Sequence, residues 1–415
     1  FINHQLEIWE EYKGDLIKRF SKLQENKIID ILTCAATHGY LPLLRETPEA
    51  VRGQLKTAVR EHQRFFGSLP QGIWLPECAY YEGLDELMIE AKLRYTVLDG
   101  HGVLHSTPRP RFGLYAPICN KKGIAFFGRD SDSTIPVWSA KKGYPGDSSY
   151  REFHRDLGWD LSLNELNSFG INSSRPLGIK LHKVSDPSKE LKDKEPYEPK
   201  LAREKAKEHA KDYLINRRNQ LKILRKGMKV EPLLVAPFDA ELFGHWWYEG
   251  PIFIAELFKQ AKSQEIELTT LKDFLMNTKT LQLCEPSPSS WGQGGFHKYW
   301  LNDSNAWIVS EWSKASKEMV FRCSNGISNE SNLRILQQAG RELLLAQSSD
   351  GSFILRAGTT TELAKERINK HLKRFWILMD GLDNNENLDK NYLKEIEKED
   401  CIFPIIHAND WYQNI

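Results

Sequence analysis

The 415-residue chain lacks the patterns that mark several large classes of protein. It has no run of about 18 apolar residues, so neither a membrane-spanning helix nor a membrane partner is expected. Its 57 basic and 56 acidic residues nearly cancel, so no field of one sign favours nucleic acid. Dinucleotide and phosphate loops, His-Glu-x-x-His and Cys-x-x-Cys are all absent from the sequence. We therefore predict neither a cofactor nor a metal site.

Cysteine is scarce and scattered, whereas tryptophan is abundant. The chain has six cysteines, at positions 34, 78, 119, 284, 323 and 401. This spacing is typical of reduced thiols in a cytoplasmic protein rather than of a disulfide framework, so we expect a cytoplasmic location. The 12 tryptophans are as expected for a carbohydrate-binding surface, although large cores also use this residue.

Residues 233–247 read Leu-Leu-Val-Ala-Pro-Phe-Asp-Ala-Glu-Leu-Phe-Gly-His-Trp-Trp. A short apolar run, which indicates a buried strand, ends in Asp239 and is followed at once by His245, Trp246 and Trp247. Strands of α/β barrels carry their chemistry at the carboxyl end, and aromatic rings stack on sugars. The alternative is that Asp239 only caps a helix beginning near Ala240.

A second segment has the same order of residues. Gly72-Ile73-Trp74-Leu75-Pro76 predicts a strand that ends at Pro76, because proline cannot donate to a sheet. Glu77 follows it, and Tyr80 and Tyr81 come soon after. A single glutamate at a strand end is usually a surface residue. Two acids at two strand ends, both beside aromatic residues, predict the carboxylate pair of a glycosidase.

These residues carry a resemblance to glycoside hydrolase family 57, in particular its α-1,4-glucan branching-enzyme subgroup. The similar segments are Thr33-Cys34-Ala35-Ala36-Thr37-His38-Gly39-Tyr40-Leu41-Pro42, Trp74-Leu75-Pro76-Glu77-Cys78-Ala79-Tyr80, residues 236–247 and Ser289-Ser290-Trp291-Gly292-Gln293-Gly294-Gly295-Phe296. The resemblance implies that Glu77 is the nucleophile and Asp239 the acid/base of a retaining enzyme. From partial burial and mutual repulsion we also expect a raised pKa for Asp239.

The chain departs from the family pattern in two places. The His-x-His motif with which the family opens does not occur before Thr33, so we expect that the chain is a fragment without the first barrel strand. Branching enzymes can also carry a tyrosine on a mobile loop over the site. The segment expected to cover that loop, residues 119–138, contains none. This second departure weakens the case for efficient transfer more than the case for α-glucan chemistry.

The resemblance implies an α/β fold, an incomplete (β/α)7-type barrel with a helical insertion and a C-terminal all-α domain. The expected domains are residues 1–139 and 230–279 for the barrel, 140–229 for the insertion and 280–415 for the helical domain. Hydrophobic periodicity predicts helices and strands along the whole chain. The predicted helices are 5–25, 46–66, 83–92, 148–157, 201–225, 241–262, 271–278, 302–323, 330–347 and 361–379. The predicted strands are 28–35, 72–76, 94–98, 103–104, 124–127 and 266–268.

Nine further residues are candidates for binding substrate. They are His38, Trp74, Arg129, Asp130, Trp138, His245, Trp246, Trp291 and Trp300. A histidine such as His38 is more often a core residue, and Arg129 with Asp130 fits a plain surface ion pair equally well. Because residues 245–247 are expected one to two turns into a helix, at most two of them can face a sugar. Trp291 and Trp300 are expected near Glu77 although they follow the barrel.

The resemblance implies cleavage of α-1,4 links in an α-glucan and formation of α-1,6 branches. A 4-α-glucanotransferase or an α-amylase of the same family is the first alternative, because the acceptor decides the product. A non-catalytic glucan-binding protein is the second. Keeping two carboxylates and many aromatic residues would be unnecessary for binding alone, which favours an enzyme. The oligomeric state is not predicted.

Overall fold

The computed structural model describes residues 2–139, 141–186, 188–325, 329–383 and 388–412. The chain forms two compact units. Unit 1 comprises Phe1–Gly128 and Thr270–Ile415, and unit 2 comprises Arg129–Thr269. The predicted division into barrel, insertion and C-terminal domain follows other boundaries and stays a prediction.

Helices are the main regular secondary structure of both units. Unit 1 contains α1 (Ile2–Glu11), α2 (Leu16–Glu25), α3 (Pro48–Phe66), α4 (Leu84–Glu90) and α5 (Gly100–Leu104) in its first part. Unit 2 contains α6 (Ser131–Trp138), α7 (Leu157–Asp160), α8 (Leu163–Ser168), α9 (Pro199–Gly227) and α10 (Gly250–Gln260). The second part of unit 1 contains α11 (Leu271–Asn277), α12 (Ala306–Ser324), α13 (Glu330–Ala346), α14 (Ser349–Ala357), α15 (Thr361–Asp383) and α16 (Lys390–Glu399). No helix of the described residues has the length and apolar character needed to span a bilayer.

A mixed sheet of five strands lies in unit 1. The strands are β1 (Gly72–Ile73), β2 (Tyr95–Leu98), β3 (Ile118–Cys119), β4 (Ala125–Gly128) and β5 (Gln282–Leu283), in the spatial order β1-β2-β4-β3-β5. β1, β2 and β4 are parallel, and β3 runs antiparallel to β4. Every residue of β2 and β4 is buried, which agrees with their sequences, apolar except for Thr96.

The segment that precedes β1 in the sequence and pairs with its edge is not the strand that the sequence predicts. A strand is expected over residues 28–35, but the described structure has one parallel bridge there, between Thr33 and Ile73. The Thr33 amide donates to the Gly72 carbonyl, and the Trp74 amide donates to the Thr33 carbonyl. These two bonds still bring the end of this segment beside the end of β1.

The C-terminal helices pack around α13. The helical spacing of Leu333, Leu336, Leu343 and Leu344 predicts core positions, and all are buried except Leu333, which is half-buried. The indole of Trp312 in α12 donates to the Ala346 carbonyl at 2.7 Å, which fixes the end of α13 against its neighbour. The predicted helices at 302–323, 330–347 and 361–379 are thus α12, α13 and α15. The sequence did not predict α14 and α16.

The expected helix over residues 5–25 is wrong in part, because it is two helices. The break follows from Lys13 and Gly14, which adopt φ values of 49° and 74°. The expected helix over 148–157 is also wrong, because only its last residue, Leu157, lies in a helix, where it begins α7. Arg151 instead forms an antiparallel bridge with Lys183, and the Val184 amide donates to the Tyr150 carbonyl. Backbone pairing with a distant segment decides this conformation, and local periodicity carries no signal for it.

Three more expectations fail for local reasons. Residues 103–104 were expected in a strand but end α5, whose N-cap is Asp99. Residues 266–268 follow Glu265, which has a φ of 57°, and they form no strand. The helix expected over 241–262 begins only at Gly250, because Gly244 at a φ of 100° interrupts it.

Gly53 in α3 provides a test of the packing in unit 1. A Cβ at Gly53 would lie 2.6 Å from the buried Trp411 ring, whereas one at Gly227, the last residue of α9, would meet nothing. We expect Gly53→Ala to destabilise the fold by about 1–2 kcal/mol, because overpacking outweighs the gain in helix propensity. Thermal unfolding measures this effect, with Gly227→Ala as the matched control. An unchanged or raised melting temperature for Gly53→Ala would contradict this packing.

Candidate active site

Glu77 lies in a strained turn at the end of β1. Pro76–Cys78 form a 3₁₀ turn in which Glu77 and Cys78 adopt φ values of 63° and 52°. Non-glycine residues adopt this left-handed region infrequently and at a cost of about 1–3 kcal/mol. Such strain persists only where surrounding contacts impose it. The turn therefore fixes the direction of the Glu77 side chain.

Trp291 holds Glu77 through both its main chain and its side chain. The Trp291 indole N–H donates to Glu77 Oε2 at 2.6 Å, and its amide donates to the Glu77 carbonyl at 3.0 Å. Only 16% of the Glu77 side chain is exposed, and its other oxygen lies 3.9 Å from Nδ1 of His38. A hydrogen bond to a carboxylate is short and strong when it is partly shielded from water. The structure thus confirms that Trp291 lies beside Glu77.

The loop of residues 289–300, which carries Trp291, is fixed on neighbouring elements of unit 1. Ser289 and Tyr80 exchange backbone hydrogen bonds at 2.9 and 3.2 Å. Nε2 of His101 lies 2.8 Å from the Gly295 carbonyl, and Nδ1 of the same ring lies 3.0 Å from Asp99. These contacts give the 289–300 loop a defined position although most of it has no regular secondary structure.

The remaining aromatic residues of this region pack in two groups. The rings of Trp74 and Trp291 meet edge to face, with centroids 5.1 Å apart. Trp300 is only 2% exposed and stacks on Tyr40 at 4.5 Å. The Tyr40 hydroxyl lies 2.9 Å from Nδ1 of His297. Trp300 therefore packs against Tyr40 in the interior, and a contact between its ring and a sugar stays a prediction.

His38 lies beside Glu77 on a turn that the C-terminal half of unit 1 supports. Its φ is 53°, and its Nδ1 lies 2.9 Å from the Ser349 hydroxyl. Gly39 forms an antiparallel bridge with Ser348, and the Ser349 amide donates to the His38 carbonyl at 3.3 Å. With 41% of its side chain exposed, His38 is not a core histidine. Its role towards a substrate stays a prediction.

Two buried amides join the His38 turn to the same C-terminal residues. Gln54 in α3 accepts from the Thr37 amide at 3.1 Å and donates to the Gln347 side chain at 3.1 Å. Gln347 in turn donates to the Ser316 hydroxyl at 3.1 Å. Gln54 and Gln347 are fully buried. Buried amides need partners at both ends, so this chain of bonds fixes Thr37, directly before His38, and Gln347, next to the Ser348 that pairs with Gly39.

In unit 2, Asp239 follows a segment that pairs with Arg129 through Val235. Val235 forms a parallel bridge with Arg129, and its carbonyl accepts from the Asp130 amide at 2.8 Å. Asp239 precedes a 3₁₀ turn, Ala240–Leu242, but its side chain makes no capping hydrogen bond there. The alternative reading of Asp239 as a helix cap is therefore wrong for this structure.

Burial raises the pKa of Asp239, and the nearby Glu241 adds to the increase, while Arg129 opposes it. The direction agrees with the sequence-based expectation, although the charge that raises the pKa within unit 2 is that of Glu241. A carboxyl with a raised pKa keeps its proton to higher pH, as a general acid must. Glu77 belongs to unit 1 and Asp239 to unit 2, and their pairing across one cleft stays a prediction.

Arg129, Asp130 and Trp138 lie where unit 2 begins. Asp130 is 2% exposed, accepts from Ser133 and from Gln220, and caps α6. A surface ion pair is therefore wrong for Asp130, whose carboxylate is occupied by interior donors. Trp138, the last residue of α6, is 39% exposed. Binding of substrate by these residues stays a prediction.

Trp246 forms an exposed aromatic surface with Phe153. Their rings stack at 4.5 Å, and the His245 ring meets Phe153 edge to face at 5.3 Å. Trp246 is 55% exposed, whereas Trp247 is 1% exposed and lies in the core of unit 2. These residues lie in turns rather than inside a helix, which corrects the expected position. The sequence pattern predicts His245 and Trp246 as binding residues but gives no signal for Phe153.

The cysteines near Glu77 are not placed for redox chemistry. Burial raises the pKa of the Cys34 thiol to about 12, with a smaller contribution from the Glu77 charge. Cys78 is fully buried, and all six cysteines are free in the described structure. A thiol with a raised pKa, such as that of Cys34, is a poor nucleophile, and a fully buried thiol such as that of Cys78 is shielded from reagents. Cys34 and Cys78 therefore serve as small packing residues.

One side-chain cluster elsewhere has the composition of a metal site. Ligand atoms of Glu342, His371 and Asp400 lie within 4.8 Å of one another. Nδ1 of His371 lies 2.7 Å from one oxygen of the buried Glu342, and Gln338 donates to the other at 2.9 Å. Arg374 donates to Asp400. Because protein donors already occupy these carboxylates, the cluster joins α13 to α15, and the absence of a metal site stays a prediction.

The profile of glycosyl hydrolase family 57 matches residues 1–285, which is more than half of the chain. The chain belongs to glycoside hydrolase family 57. A second profile, that of the C-terminal region of 1,4-alpha-glucan branching enzyme, matches residues 311–411. The resemblance to the family and to its branching subgroup is thereby confirmed.

Similar proteins are known by sequence and by structure. A 1,4-alpha-glucan branching enzyme of Thermococcus kodakarensis is 30% identical over 439 residues, covering 96% of this chain and 61% of the relative. A crystal structure described as the novel alpha-amylase AmyC, from Thermotoga maritima, has a TM-score of 0.91 and 36% identity, covering 99% of this chain and 78% of that one. A branching enzyme of family 57 from Pyrococcus horikoshii has a TM-score of 0.88 and 31% identity, covering 99% and 76%.

The chain spans about three fifths of the length of the curated relatives that it matches. Within that span the predicted α/β fold class is confirmed, since the chain has a mixed α/β sheet and a helical C-terminal region and is similar over 99% of its length to family 57 structures. The roles of individual side chains are not tested by similarity of fold.

The raised pKa of Asp239 predicts a pH-dependent stability. Since its folded pKa lies above the ordinary value of 3.8, its contribution to stability is full below that value and is lost as pH rises through the folded pKa. We expect Asp239→Asn to gain melting temperature over the native protein between about pH 4 and pH 7, because the variant buries no charge.

Asp156 is the matched control in unit 2. Burial alone would raise its pKa, but bonds from the Leu177 and Gly158 amides and from Lys180 outweigh burial and lower it. Its contribution is lost as pH falls, so Asp156→Asn should be most destabilising at neutral pH. Melting temperatures of both variants and of the native protein across this pH range show whether the two stability differences change with pH in the expected directions. A difference for Asp239→Asn that does not change with pH would refute the assignment.

Proposed function

We propose that the protein containing this chain branches α-1,4-glucans by retaining transglycosylation, cleaving α-1,4 links and forming α-1,6 links. The observation that carries the proposal is the contact between Trp291 and Glu77. The contact holds the shielded Glu77 carboxylate at the end of β1. Trp291 belongs to the 289–300 loop, which follows the sheet in the sequence. The branching-enzyme relatives and the matching C-terminal profile support this choice of reaction.

In the proposed reaction Glu77 acts as the nucleophile. Its ionised carboxylate attacks the anomeric carbon of the donor glucan as the bond to the leaving oxygen breaks, which gives a glucosyl-enzyme. The Trp291 N–H holds Glu77 Oε2, so the carboxylate does not need to reorient before attack. Strain in the turn of Glu77 and Cys78 supports this role, because functional residues often carry such backbone.

Asp239 is proposed as the acid/base. Its raised pKa supports a protonated resting state, in which it gives its proton to the leaving 4-oxygen. It then removes the proton of an acceptor 6-hydroxyl, which attacks the glucosyl-enzyme and forms the branch. If water replaces that hydroxyl, the product is a shortened linear chain. Exclusion of water therefore decides between transfer and hydrolysis.

Aromatic side chains are proposed to hold the glucan. Trp74 and Trp291 are half-buried beside Glu77, while Trp138 and Trp246 are exposed in unit 2. His38 would donate to a sugar hydroxyl, and Arg129, Asp130 and His245 would support the glucan near Asp239. A glycogen-type polysaccharide of the cytoplasm is the proposed substrate and product.

Hydrolysis is the second candidate, and one observation favours it. The structure with a TM-score of 0.91 to this chain is described as an alpha-amylase. The lack of a tyrosine in residues 119–138 agrees with weaker transfer. Both candidates use Glu77 and Asp239 in the same first step. They differ only in the acceptor of the second step, so product analysis separates them.

The deciding experiment incubates the protein that contains this chain with amylose. Branching is measured as new chain ends after treatment with a debranching enzyme, and hydrolysis as new reducing ends before it. We expect branches to exceed new reducing ends. Asp239→Asn should lose roughly 10²- to 10⁴-fold in rate and Glu77→Gln at least as much. Reducing ends alone would establish a hydrolase, and an active Glu77→Gln variant would remove Glu77 from the mechanism.

Trp291→Phe tests the contact that carries the proposal. Phenylalanine keeps a ring against Trp74 but loses the N–H that holds Glu77, so we expect kcat on amylose to fall about 10-fold, with a smaller change in KM. Trp300→Phe is the comparison, because the buried Trp300 N–H has no hydrogen-bond partner among the described residues. Steady-state kinetics of both variants give the result. An equal loss of kcat in the two would show that packing, rather than the hydrogen bond, matters.

A further inference from the structure

The geometry points to Ser349 as a positioning residue that fixes the tautomer and the orientation of His38 beside Glu77. Ser349 is the first residue of α14 and lies more than 300 positions after His38 in the sequence. Its consequence for the reaction rests on the proposed function, whereas its effect on the His38 ring does not.

Ser349 contacts His38 in two ways. Its hydroxyl lies 2.9 Å from Nδ1 of the ring, and its amide donates to the His38 carbonyl at 3.3 Å. The bridge between Gly39 and Ser348 fixes the backbone on both sides of this pair. A side chain held at both its ring and its carbonyl has little freedom to rotate.

The burial of Ser349 determines the direction of the hydrogen bond. The residue is 1% exposed, and within the described part of the chain its hydroxyl has Nδ1 of His38 as its hydrogen-bond partner. A buried hydroxyl proton needs an acceptor. The Ser349 O–H therefore donates to Nδ1, and the neutral ring carries its own proton on Nε2.

This tautomer matters because Nδ1 also lies near Glu77. The distance from Nδ1 to Glu77 Oε1 is 3.9 Å, so a proton on Nδ1 would be drawn towards the carboxylate. With Ser349 donating to Nδ1, the ring does not give a proton to the oxygen that must attack. The Nε2–H is then the donor that His38 presents to a sugar hydroxyl.

The position of Ser349 is itself fixed from the interior. Gln347, two residues earlier, is fully buried and bonds to Gln54 and Ser316. Gln54 also holds the Thr37 amide, directly before His38. The same buried amides therefore set both partners of the pair between Ser349 and His38.

The first test is nitrogen NMR of the protein with ¹⁵N-labelled histidine and without substrate. The His38 signals are identified by their loss in His38→Asn. We expect the native protein to show the Nε2–H form, with Nδ1 accepting a hydrogen bond. Ser349→Ala should shift the Nδ1 resonance and increase the Nδ1–H form. Ser349→Thr should retain the native signals, since it keeps the hydroxyl.

Ser352→Ala is the matched control. Ser352 is 1% exposed in the same helix and donates to the Ser349 carbonyl at 2.9 Å, so its loss removes a buried hydroxyl without touching His38. The His38 signals should be unchanged in this variant. A native Nδ1–H form, or His38 signals that are the same in Ser349→Ala as in the native protein, would overturn the inference.

The second test is kinetic. Ser349→Ala should lower kcat on amylose about 10-fold with little change in KM, because a misplaced donor affects the reacting geometry more than binding. Ser349→Thr should restore most of kcat, and Ser352→Ala should leave it unchanged. Equal losses of kcat in Ser349→Ala and Ser352→Ala would show that Ser349 has only a structural role. If the native protein does not act on amylose, the proposed function fails, and the NMR result alone still decides the role of Ser349.

Discussion

The backbone strain at Glu77, which follows β1, and at His38, which follows the bridge at Thr33, is the constraint on which the arrangement around Glu77 depends. Glu77 and His38 both adopt left-handed conformations that side chains with a Cβ disfavour. Neither turn would persist by local preference alone, so contacts from elsewhere must impose both. Trp291 provides them for Glu77, and residues 347–349 provide them for His38. The result is a pair of polar side chains held in place before any ligand is present.

Both sets of contacts come from the part of unit 1 that follows the sheet in the sequence. The residues that support His38 lie within the stretch matched by the branching-enzyme C-terminal profile, and the loop of Trp291 precedes it. The C-terminal helices are therefore part of the structure around the strand ends. Their core, centred on α13 and α15, provides the rigid base for Gln347 and Ser349.

The sequence predicted the features that depend on local pattern. The helices α3, α9, α13 and α15 and the strands β2 and β4 have strong periodicity or continuous burial, and they lie where expected. Glu77 is a candidate on the sequence alone because an apolar run ends abruptly before it, while its catalytic role stays a prediction. Residues 148–157 were misassigned because their conformation depends on pairing with residues near Lys183. Trp291 and Trp300 look alike in sequence, yet only their partners decide that one contacts Glu77 and the other is buried. Nothing in the sequence around Ser349 marks it.

The packing of Trp411 has an evolutionary consequence. Its ring lies against two glycines, Gly53 in α3 and Gly340 in α13, and no donor or acceptor among the described residues holds its N–H. Shape alone therefore selects the indole at this point. A larger residue at either glycine can be accepted only by a lineage that also reduces the ring at position 411. These three positions should vary together among homologues, as a correlated substitution pattern that links the start of the chain to its last helices.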